Sequence, residues 1–325
     1  MQYQEVAGGI CAPKGFAAAG VHCGIRANHA EKYDLALIKA DVRCAAAGVY
    51  TTNKVCGAPI KVDRAHLKDG YAQAIIVNSG NANTCAANGV ALAEECCELV
   101  GKELGIDPQD VLPASTGVIG QPMVIDPFAR GIPAAAAKLA ADEQGSTDAA
   151  TAIMTTDTRP KEAAVTFSGD GIGYDGCTFT VGGMSKGSGM IMPNMATMIA
   201  VLTTDAPVSA PALHRALVHA VNRSFNKVTV DSDTSTNDSC FLFASGAAAP
   251  AGASAFDPDG PAFARFQAAL VEVCETLARM MAADGEGATR LVTVHVTGAA
   301  NDTDADLAAR AVANSPLVKT AVCGR

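Results

Sequence analysis

The sequence has few of the residues that bind nucleic acid. Its 325 residues contain no tryptophan, aromatic residues make up 5%, and the formal net charge is -9. Single-stranded nucleic acid is bound by stacked aromatic side chains and duplexes by concentrated Lys and Arg. None of the 24 Lys and Arg residues cluster into a basic run. We therefore expect no nucleic-acid partner.

Long apolar runs and a leader pattern are also missing. The longest apolar stretches are far shorter than the roughly 20 residues that a membrane-spanning helix needs. The N-terminal letters MQYQE show no positive flank followed by an apolar core, which a secretory signal peptide requires. The prediction is a soluble, cytoplasmic protein without a membrane partner.

The 11 cysteines include no Cys-X-X-Cys pair. Structural zinc sites usually carry cysteines at such short spacing, and disulfide frameworks are typical of small secreted chains. The histidines supply no metal site either, because His214 and His219 are five residues apart on a predicted helix and point to different faces. We expect no metal, and we expect most cysteines to be small buried hydrophobic residues.

The chain does contain alternating helix-like and strand-like periods. The predicted helices cover residues 90–104, 208–222, 261–283 and 304–314, with Ser209 as a cap and Pro211 in the first turn of the second. The predicted strands cover residues 74–77, 164–167, 178–181, 198–203 and 291–296, and the second and third form a hairpin with a long loop. This mixture predicts an α/β or α+β layered fold.

The most unusual segment is the glycine-rich run 182–198, GGMSKGSGMIMPNMATM. A phosphate-binding loop needs Gly directly before its Lys and Ser or Thr directly after it. Around Lys186 those places hold Ser185 and Gly187, so a nucleotide loop is disfavoured. Two interpretations remain: a turn that leads into a buried strand, or a site that carries a reactive threonine.

The reactive threonine would be Thr197, which follows Ala196 where the loop joins an apolar strand. A Thr hydroxyl is a weak nucleophile until a base lies beside it. If the peptide bond before Thr197 is cut, the new α-amine has an ordinary pKa of roughly 7.7–8.0. One residue then supplies both nucleophile and base. The junction suits self-cleavage, although Ala-Thr is common in strands.

Eight motifs occur in an order that carries a family resemblance. They are GGICAPKGF (8–16), VYTTN (49–53), NSGNAN (78–83), ASTGVIG (114–120), MTTDT (154–158), the glycine-rich run, TVDSDTSTND (229–238) and DGEGAT (284–289). Together they closely resemble the ornithine acetyltransferase family of arginine biosynthesis, also called glutamate N-acetyltransferase. The resemblance extends from about residue 6 to the end of the chain.

The resemblance implies a role for individual residues. It makes Thr197 the nucleophile and Ala196-Thr197 the self-cleavage site. Thr116 and Gly117 match the pair that stabilises the oxyanion, a function that requires donors fixed in advance where negative charge develops. The positions that match substrate contacts are Thr155, Lys186, Thr197 and Glu286.

The resemblance also implies a fold, an assembly and a reaction. The fold would be a layered α/β sandwich whose chemistry is similar to that of N-terminal-nucleophile hydrolases. Self-cleavage would give an α chain, 1–196, and a β chain, 197–325, which assemble as a heterotetramer of two of each. The acetyl group would move from N-acetylornithine to glutamate as an ester on Thr197. No cofactor is implied, although some members also accept acetyl-CoA as a co-substrate.

Two departures from the family pattern leave alternatives open. After residues 317–322 the family continues through a tryptophan-containing stretch to an Asn and a Thr that contact substrate, whereas this chain ends at residue 325 and has no Trp. Ser232 stands where the family commonly has Gly. The alternatives are an aminopeptidase-like hydrolase, in which water replaces glutamate, and an inactive, truncated family member.

Overall fold

The computed structural model describes residues 3–26, 32–191 and 198–323. Within these ranges the chain forms nine strands and eight helices. The strands are β1 (Gln4–Glu5), β2 (Phe16–Val21), β3 (Leu35–Tyr50), β4 (Tyr71–Asn78), β5 (Val111–Ser115), β6 (Lys161–Ser168), β7 (Thr178–Lys186), β8 (Ile199–Thr204) and β9 (Ser239–Ala244). The helices are α1 (Ala58–His66), α2 (Gly89–Leu104), α3 (Asp126–Ala136), α4 (Glu143–Ala152), α5 (Ala210–Arg223), α6 (Pro261–Ala283), α7 (Asp302–Ala313) and α8 (Pro316–Cys323).

All nine described strands belong to one mixed sheet. Neighbouring strands follow the order β1-β6-β7-β8-β9-β3-β4-β5, and β2 pairs with β3 beside this path. The pairs β4–β5 and β8–β9 are parallel, and the other pairs between described strands are antiparallel. The predicted hairpin is confirmed as β6 and β7, which pair from Lys161↔Ser185 to Ser168↔Thr178.

The central strands are buried on both faces. In β9, Cys240 and Leu242 pack into one apolar cluster, whereas Phe241 and Phe243 pack into a second. Successive side chains of a strand point to opposite faces, so the two clusters lie on opposite sides of the sheet. A strand that is covered on both sides needs a continuous apolar run.

Helices supply the cover on both sides. Phe266, Leu270 and Val273 of α6 join the first cluster at helical spacing, with α5 beside them. Ala149 and Ile153, at the end of α4, join the second, and α2 and α3 pack with β2, β3 and β4 in a third. The predicted layered α/β architecture is therefore confirmed. Within the described part of the chain, no helix is long and apolar enough to cross a membrane.

The four predicted helices are confirmed with ends that shift by at most two residues, as α2, α5, α6 and α7. Pro211 lies in the first turn of α5, as predicted. Ser209 occupies the N-cap position with an extended backbone, but its side chain forms no capping hydrogen bond. The first three predicted strands are confirmed within β4, β6 and β7, and the fourth is confirmed as β8 with each end shifted by one residue.

The predicted strand at residues 291–296 is wrong. The structure assigns no regular element to these residues, and Leu291 and Val292 are 45% and 51% exposed. A strand needs a neighbour that pairs with its backbone N–H and C=O groups. None of the described strands lies beside this segment, so its apolar pattern alone does not produce a strand.

The alanine-rich strand β2 was not indicated by the apolar pattern, because Ala and Gly have low strand propensity. Helix α4 packs so closely on this strand that a Cβ atom at Gly20 would lie 2.0 Å from the carbonyl oxygen of Asp148. Small residues are therefore required at this crossing. The tertiary contact, and not local propensity, explains the composition of β2.

Six of the eleven cysteines are buried. Burial raises the pKa of Cys11, Cys44 and Cys96 to about 12, and thiols of this kind are inert at neutral pH. The interpretation as small buried hydrophobic residues is confirmed for these six, whereas Cys85 and Cys323 are exposed.

Helix α1 contains a buried carboxyl group without a partner. Asp63 is 0% exposed, and neither of its carboxylate oxygens forms a hydrogen bond among the described residues. Burial raises the pKa of Asp63 well above its ordinary value. The neutral acid is therefore the form that the folded protein favours.

We expect Asp63→Asn to reduce the loss of stability at high pH. The unfolded pKa is about 3.9 and the folded pKa is higher, so the contribution of Asp63 to the stability of wild type is greatest below the unfolded value. It loses about 1.4 kcal/mol per pH unit as the pH rises toward the folded pKa. Asn keeps the shape and cannot ionise. The Tm of the variant minus that of wild type, measured by circular dichroism, should increase from about pH 5 to about pH 8. A difference in Tm that stays the same from about pH 5 to about pH 8 would show that ionisation of Asp63 does not lower the stability of wild type.

Candidate active site

Predicted site residues lie at strand ends. Lys186 is the last residue of β7 and pairs with Ile199 at the start of β8. Thr116 directly follows β5. β5 and β7 are not neighbours in the sheet, yet the Nζ atom of Lys186 lies 3.5 Å from the Oγ1 atom of Thr116. The fold therefore brings two strand ends that are far apart in the sheet into one site.

Lys186 is a buried cation, 2% exposed. Burial lowers the pKa of its ammonium group, and this effect outweighs the opposite influence of Asp157 and Asp238. An ammonium group is only a donor, so the long contact directs an N–H of Lys186 toward the oxygen of Thr116. The hydroxyl hydrogen of Thr116 remains available for another acceptor.

Gly117 provides a second donor next to Thr116. Its φ is +125°, and a Cβ atom at this position would lie 2.5 Å from the carbonyl carbon of Gly80. The position therefore requires glycine. Its backbone N–H makes no hydrogen bond to any described residue. Two free donors thus follow one another in sequence, the arrangement that an oxyanion site needs.

An amide side chain holds the backbone around this pair. The Nδ2 atom of Asn237 donates to the carbonyl oxygens of Ala82, at 2.6 Å, and Ser115, at 3.0 Å. Its Oδ1 atom accepts from the hydroxyl of Thr84 at 2.5 Å. The loop after β4 and the end of β5 are therefore joined to the start of β9, and the approach to Gly117 is fixed from both sides.

Asp238 fixes the chain next to the predicted nucleophile. Its Oδ1 atom accepts the backbone N–H of Met198 at 2.8 Å, and its Oδ2 atom has no partner among the described residues. Burial raises the pKa of Asp238 well above its ordinary value, although the Met198 N–H and Lys186 oppose this. Ala196 and Thr197 lie outside the described residues.

Thr155 is attached to the same region through a carboxylate. Its N–H donates to the Oδ2 atom of Asp157 at 3.1 Å, and the Oδ1 atom accepts the N–H of Gly187 at 2.7 Å. Burial alone raises the pKa of Asp157, but Lys186 and Lys161 outweigh it, so the pKa lies below its ordinary value. An ionised Asp157 therefore links Thr155 to the residue after Lys186.

Glu286 is exposed and follows α6. Its N–H donates to the carbonyl oxygen of Ser188 at 2.8 Å. A Cβ atom at Gly189 would lie 2.4 Å from the Oε1 atom of Glu286, so the carboxylate packs directly on this glycine. The end of α6 is thereby attached to the glycine-rich loop.

The structure thus brings Lys186 and Thr116 into direct contact, and it connects Thr155 and Glu286 to the loop after Lys186. Asp157, Asn237 and Asp238 lie inside the sequence motifs, but the motifs predicted no role for them. The sequence pattern that could have identified them is an Asp or Asn among Ser and Thr residues close to an apolar strand. Which backbone groups such a residue binds depends on contacts that the sequence does not display.

The chain is similar over most of its length to known proteins. Residues 17–325 match the ArgJ family. This chain belongs to the ArgJ family. The arginine biosynthesis bifunctional protein ArgJ of Symbiobacterium thermophilum is 51% identical over 320 residues, which cover 98% of this chain and 77% of that protein. The protein of the same name from Thermosynechococcus vestitus is 46% identical over 329 residues, 99% of this chain and 75% of its own length. The predicted family, and the acyltransferase class in arginine biosynthesis, are confirmed.

Solved structures of ArgJ proteins resemble this fold. The arginine biosynthesis bifunctional protein of Bacillus halodurans is 36% identical with a TM-score of 0.55, over 59% of this chain and 97% of that one. The ornithine acetyltransferase of Mycobacterium tuberculosis, complexed with ornithine, is 36% identical with a TM-score of 0.54, over 59% of this chain and 98% of that one. Both agree with the predicted α/β sandwich.

Ser232 stands where the family resemblance predicts a glycine. Its φ is +67°, a left-handed conformation that glycine adopts freely and that costs other residues about 1–2 kcal/mol. Its hydroxyl lies 3.3 Å from the Oδ1 atom of Asn314. The departure therefore introduces local backbone strain and adds a polar contact to α7.

We expect Gly117→Ala to destabilise the protein more than its matched control, Gly120→Ala. Both glycines have positive φ, but a Cβ atom at Gly120 would meet nothing within 4 Å. The control therefore measures conformational strain alone, and the contact with Gly80 is added only at position 117. Gly117→Ala should lower the Tm by at least about 2 °C more than the control. Equal Tm values in a thermal unfolding scan would refute the close approach.

Proposed function

We propose that this chain transfers an acetyl group from N-acetylornithine to glutamate through an ester on Thr197, after it cuts its own peptide bond between Ala196 and Thr197. Acetyl-CoA is a second donor for the same ester. The observation that supports this most strongly is the contact of Lys186 with Thr116, beside the free N–H of Gly117. A relative described as an ornithine acetyltransferase in complex with ornithine supports the substrate class.

Self-cleavage begins when the Thr197 hydroxyl attacks the carbonyl carbon of Ala196. The carbonyl oxygen becomes negative, and the Thr116 hydroxyl and the Gly117 N–H donate hydrogen bonds to it. The C–N bond then breaks, and its nitrogen takes the hydroxyl proton. Water hydrolyses the resulting ester, which leaves a carboxylate on Ala196 and a free α-amine on Thr197.

Acetyl transfer uses the same groups twice. The α-amine of Thr197 accepts the hydroxyl proton, and the oxygen attacks the acetyl carbon of N-acetylornithine. The amide C–N bond breaks, its nitrogen takes the proton, and ornithine leaves an acetyl ester behind. The amine of glutamate attacks this ester in the second half, which releases N-acetylglutamate and restores the hydroxyl. Thr116 and Gly117 stabilise the oxyanion in both halves.

Charged groups of opposite sign suit these substrates. Both amino acids carry a carboxylate and an amine, and charge-assisted hydrogen bonds to such groups are the strongest of their kind. Lys186 pairs with the carboxylate and Glu286 with the amine, while Thr155 contributes a polar contact. All three are held on segments that meet at the loop after β7.

The two products, 1–196 and 197–325, remain joined after cleavage. β8 and β9 belong to the second product, but they lie between β7 and β3 of the first in the sheet order. The pairs β7–β8 and β3–β9 hydrogen-bond across the two chains. We propose that two such pairs assemble as a heterotetramer that works on small molecules in the cytoplasm.

Wild type should give two bands on a denaturing gel, and Thr197→Ala should give one band of the intact chain. The substitution removes the attacking oxygen. The matched control Thr197→Ser keeps a hydroxyl and should still yield two bands. Size-exclusion chromatography should show one species in every case, because the strands hold the products together. An uncut wild-type chain, or cleavage of Thr197→Ala, would rule out the proposed self-cleavage.

Thr116→Ala should lower kcat for acetyl transfer about a hundred- to a thousand-fold, since one oxyanion donor is lost. Thr116→Ser retains the hydroxyl and should stay close to wild type. The assay follows ornithine release from N-acetylornithine.

The same assay distinguishes a transferase from a hydrolase. Ornithine release by wild type should require glutamate beyond the first turnover. Release at the full rate without glutamate would identify water as the acceptor and would reject acetyl transfer as the function.

A further inference from the structure

A buried ion cluster lies behind the substrate-contacting residues. Lys161, the first residue of β6, is 1% exposed. Its Nζ atom lies 2.6 Å from the Oδ1 atom of Asp157 and 2.6 Å from the Oδ2 atom of Asp284. One ammonium group is therefore shared by two carboxylates that are far apart in sequence. The proposed reaction assigns no part to Lys161 or Asp284.

The Asp157 end of the cluster holds two segments of the site. The same carboxylate accepts the N–H of Thr155 and the N–H of Gly187, next to Lys186. Since Lys161 also binds this carboxylate, its position depends on the ion pair. A shift of Asp157 would move the backbone beside two of the proposed substrate contacts.

The Asp284 end controls the third segment. Asp284 closes α6, two residues before Glu286, and its Oδ2 atom accepts the N–H of Thr158 at 3.0 Å. The Thr158 hydroxyl also donates to the Oδ1 atom of Asp284. Burial alone raises the pKa of Asp284, but hydrogen bonds from Lys161 and Thr158 outweigh it, so the pKa lies below its ordinary value. The turn that carries Glu286 is thus tied to the same cation.

We propose that Lys161 is a positioning residue that sets the distances between Thr155, Lys186 and Glu286 through Asp157 and Asp284. The proposal rests on the proposed function, because it assumes that these three residues bind the amino-acid substrates. Buried ion pairs contribute little net stability compared with apolar packing. Their directional hydrogen bonds, however, fix the geometry of the groups that they join.

The oxyanion pair is also secured by contacts outside the cluster. Asn237 fixes the Ser115 carbonyl, and the Thr116 N–H donates to the carbonyl oxygen of Asn78 at 2.9 Å. Loss of Lys161 should therefore affect substrate binding more than the chemical step. This difference separates positioning of the substrate contacts from a general loss of structure.

The test compares Lys161→Met with Asp205→Asn. Asp205 is the control, because like Asp157 it is a buried carboxylate that accepts two backbone N–H groups, from Thr180 at 2.7 Å and Lys14 at 3.1 Å. Lys161→Met should raise KM for N-acetylornithine about tenfold and change kcat less than about threefold. Asp205→Asn should leave KM unchanged even where it lowers the Tm.

Thr158→Val is the second variant, and it keeps the test valid if Lys161→Met does not fold. It removes the hydroxyl bond to Asp284 and leaves the ion pair in place, so KM should rise by a smaller factor. Unchanged KM in both variants, or a fall in kcat without a rise in KM, would overturn the positioning role. If Lys161→Met does not fold, a wild-type KM in Thr158→Val is enough to overturn the positioning role.

Titration calorimetry with ornithine separates failure of this proposal from failure of the proposed function. Wild type should bind ornithine, and Lys161→Met should bind it about tenfold more weakly. If wild type binds ornithine and transfers acetyl while Lys161→Met matches it, only the positioning role fails. If wild type neither binds ornithine nor transfers acetyl, the proposed function fails and this inference fails with it.

Discussion

The site depends on one buried positive charge at the end of β7. Lys186 is almost completely inaccessible, and an ammonium group is buried at high cost unless negative groups and hydrogen-bond acceptors surround it. Asp157, whose pKa lies below its ordinary value, supplies the negative charge. The carboxyl group of Asp238, whose pKa burial raises, lies nearby, and Thr116 supplies an oxygen. These partners come from three separate parts of the chain. The loop after α4, the end of β5 and the start of β9 therefore all meet at the ammonium group of Lys186.

The loops that meet there form few regular hydrogen bonds between backbone groups, so polar side chains accept their N–H groups instead. Every buried N–H group needs an acceptor. Asp157 accepts from Thr155 and Gly187, and Asp238 accepts from Met198. The acidic side chains near Lys186 therefore also fix the backbone around it. Gly117 is exposed, and its N–H has no acceptor among the described residues.

Segments whose neighbours matter little could be predicted from the sequence. Helices α2, α5, α6 and α7 carry their own hydrogen bonds, so periodic apolar residues and terminal Gly or Pro residues define them. Residues 291–296 have the apolar pattern of a strand but no described strand beside them. Conversely, β2 is rich in alanine and forms a strand because α4 packs on it at Gly20. A strand depends on its neighbours, which local pattern cannot identify.

The sequence by itself determined the family, the order of the motifs and the residue types that chemistry requires, including Thr116, Gly117 and Lys186. These are local properties, because a hydroxyl, a flexible backbone and an amine belong to single residues. Only the tertiary structure decided that Lys186 meets Thr116, although their strands are not neighbours in the sheet, and that Asp157, Asn237 and Asp238 secure the loops around them. The physical reason is that hydrogen bonds and ion pairs act over a few ångströms. The residues in these contacts are 30 to 155 positions apart in sequence, and they come within that distance only after the chain has folded.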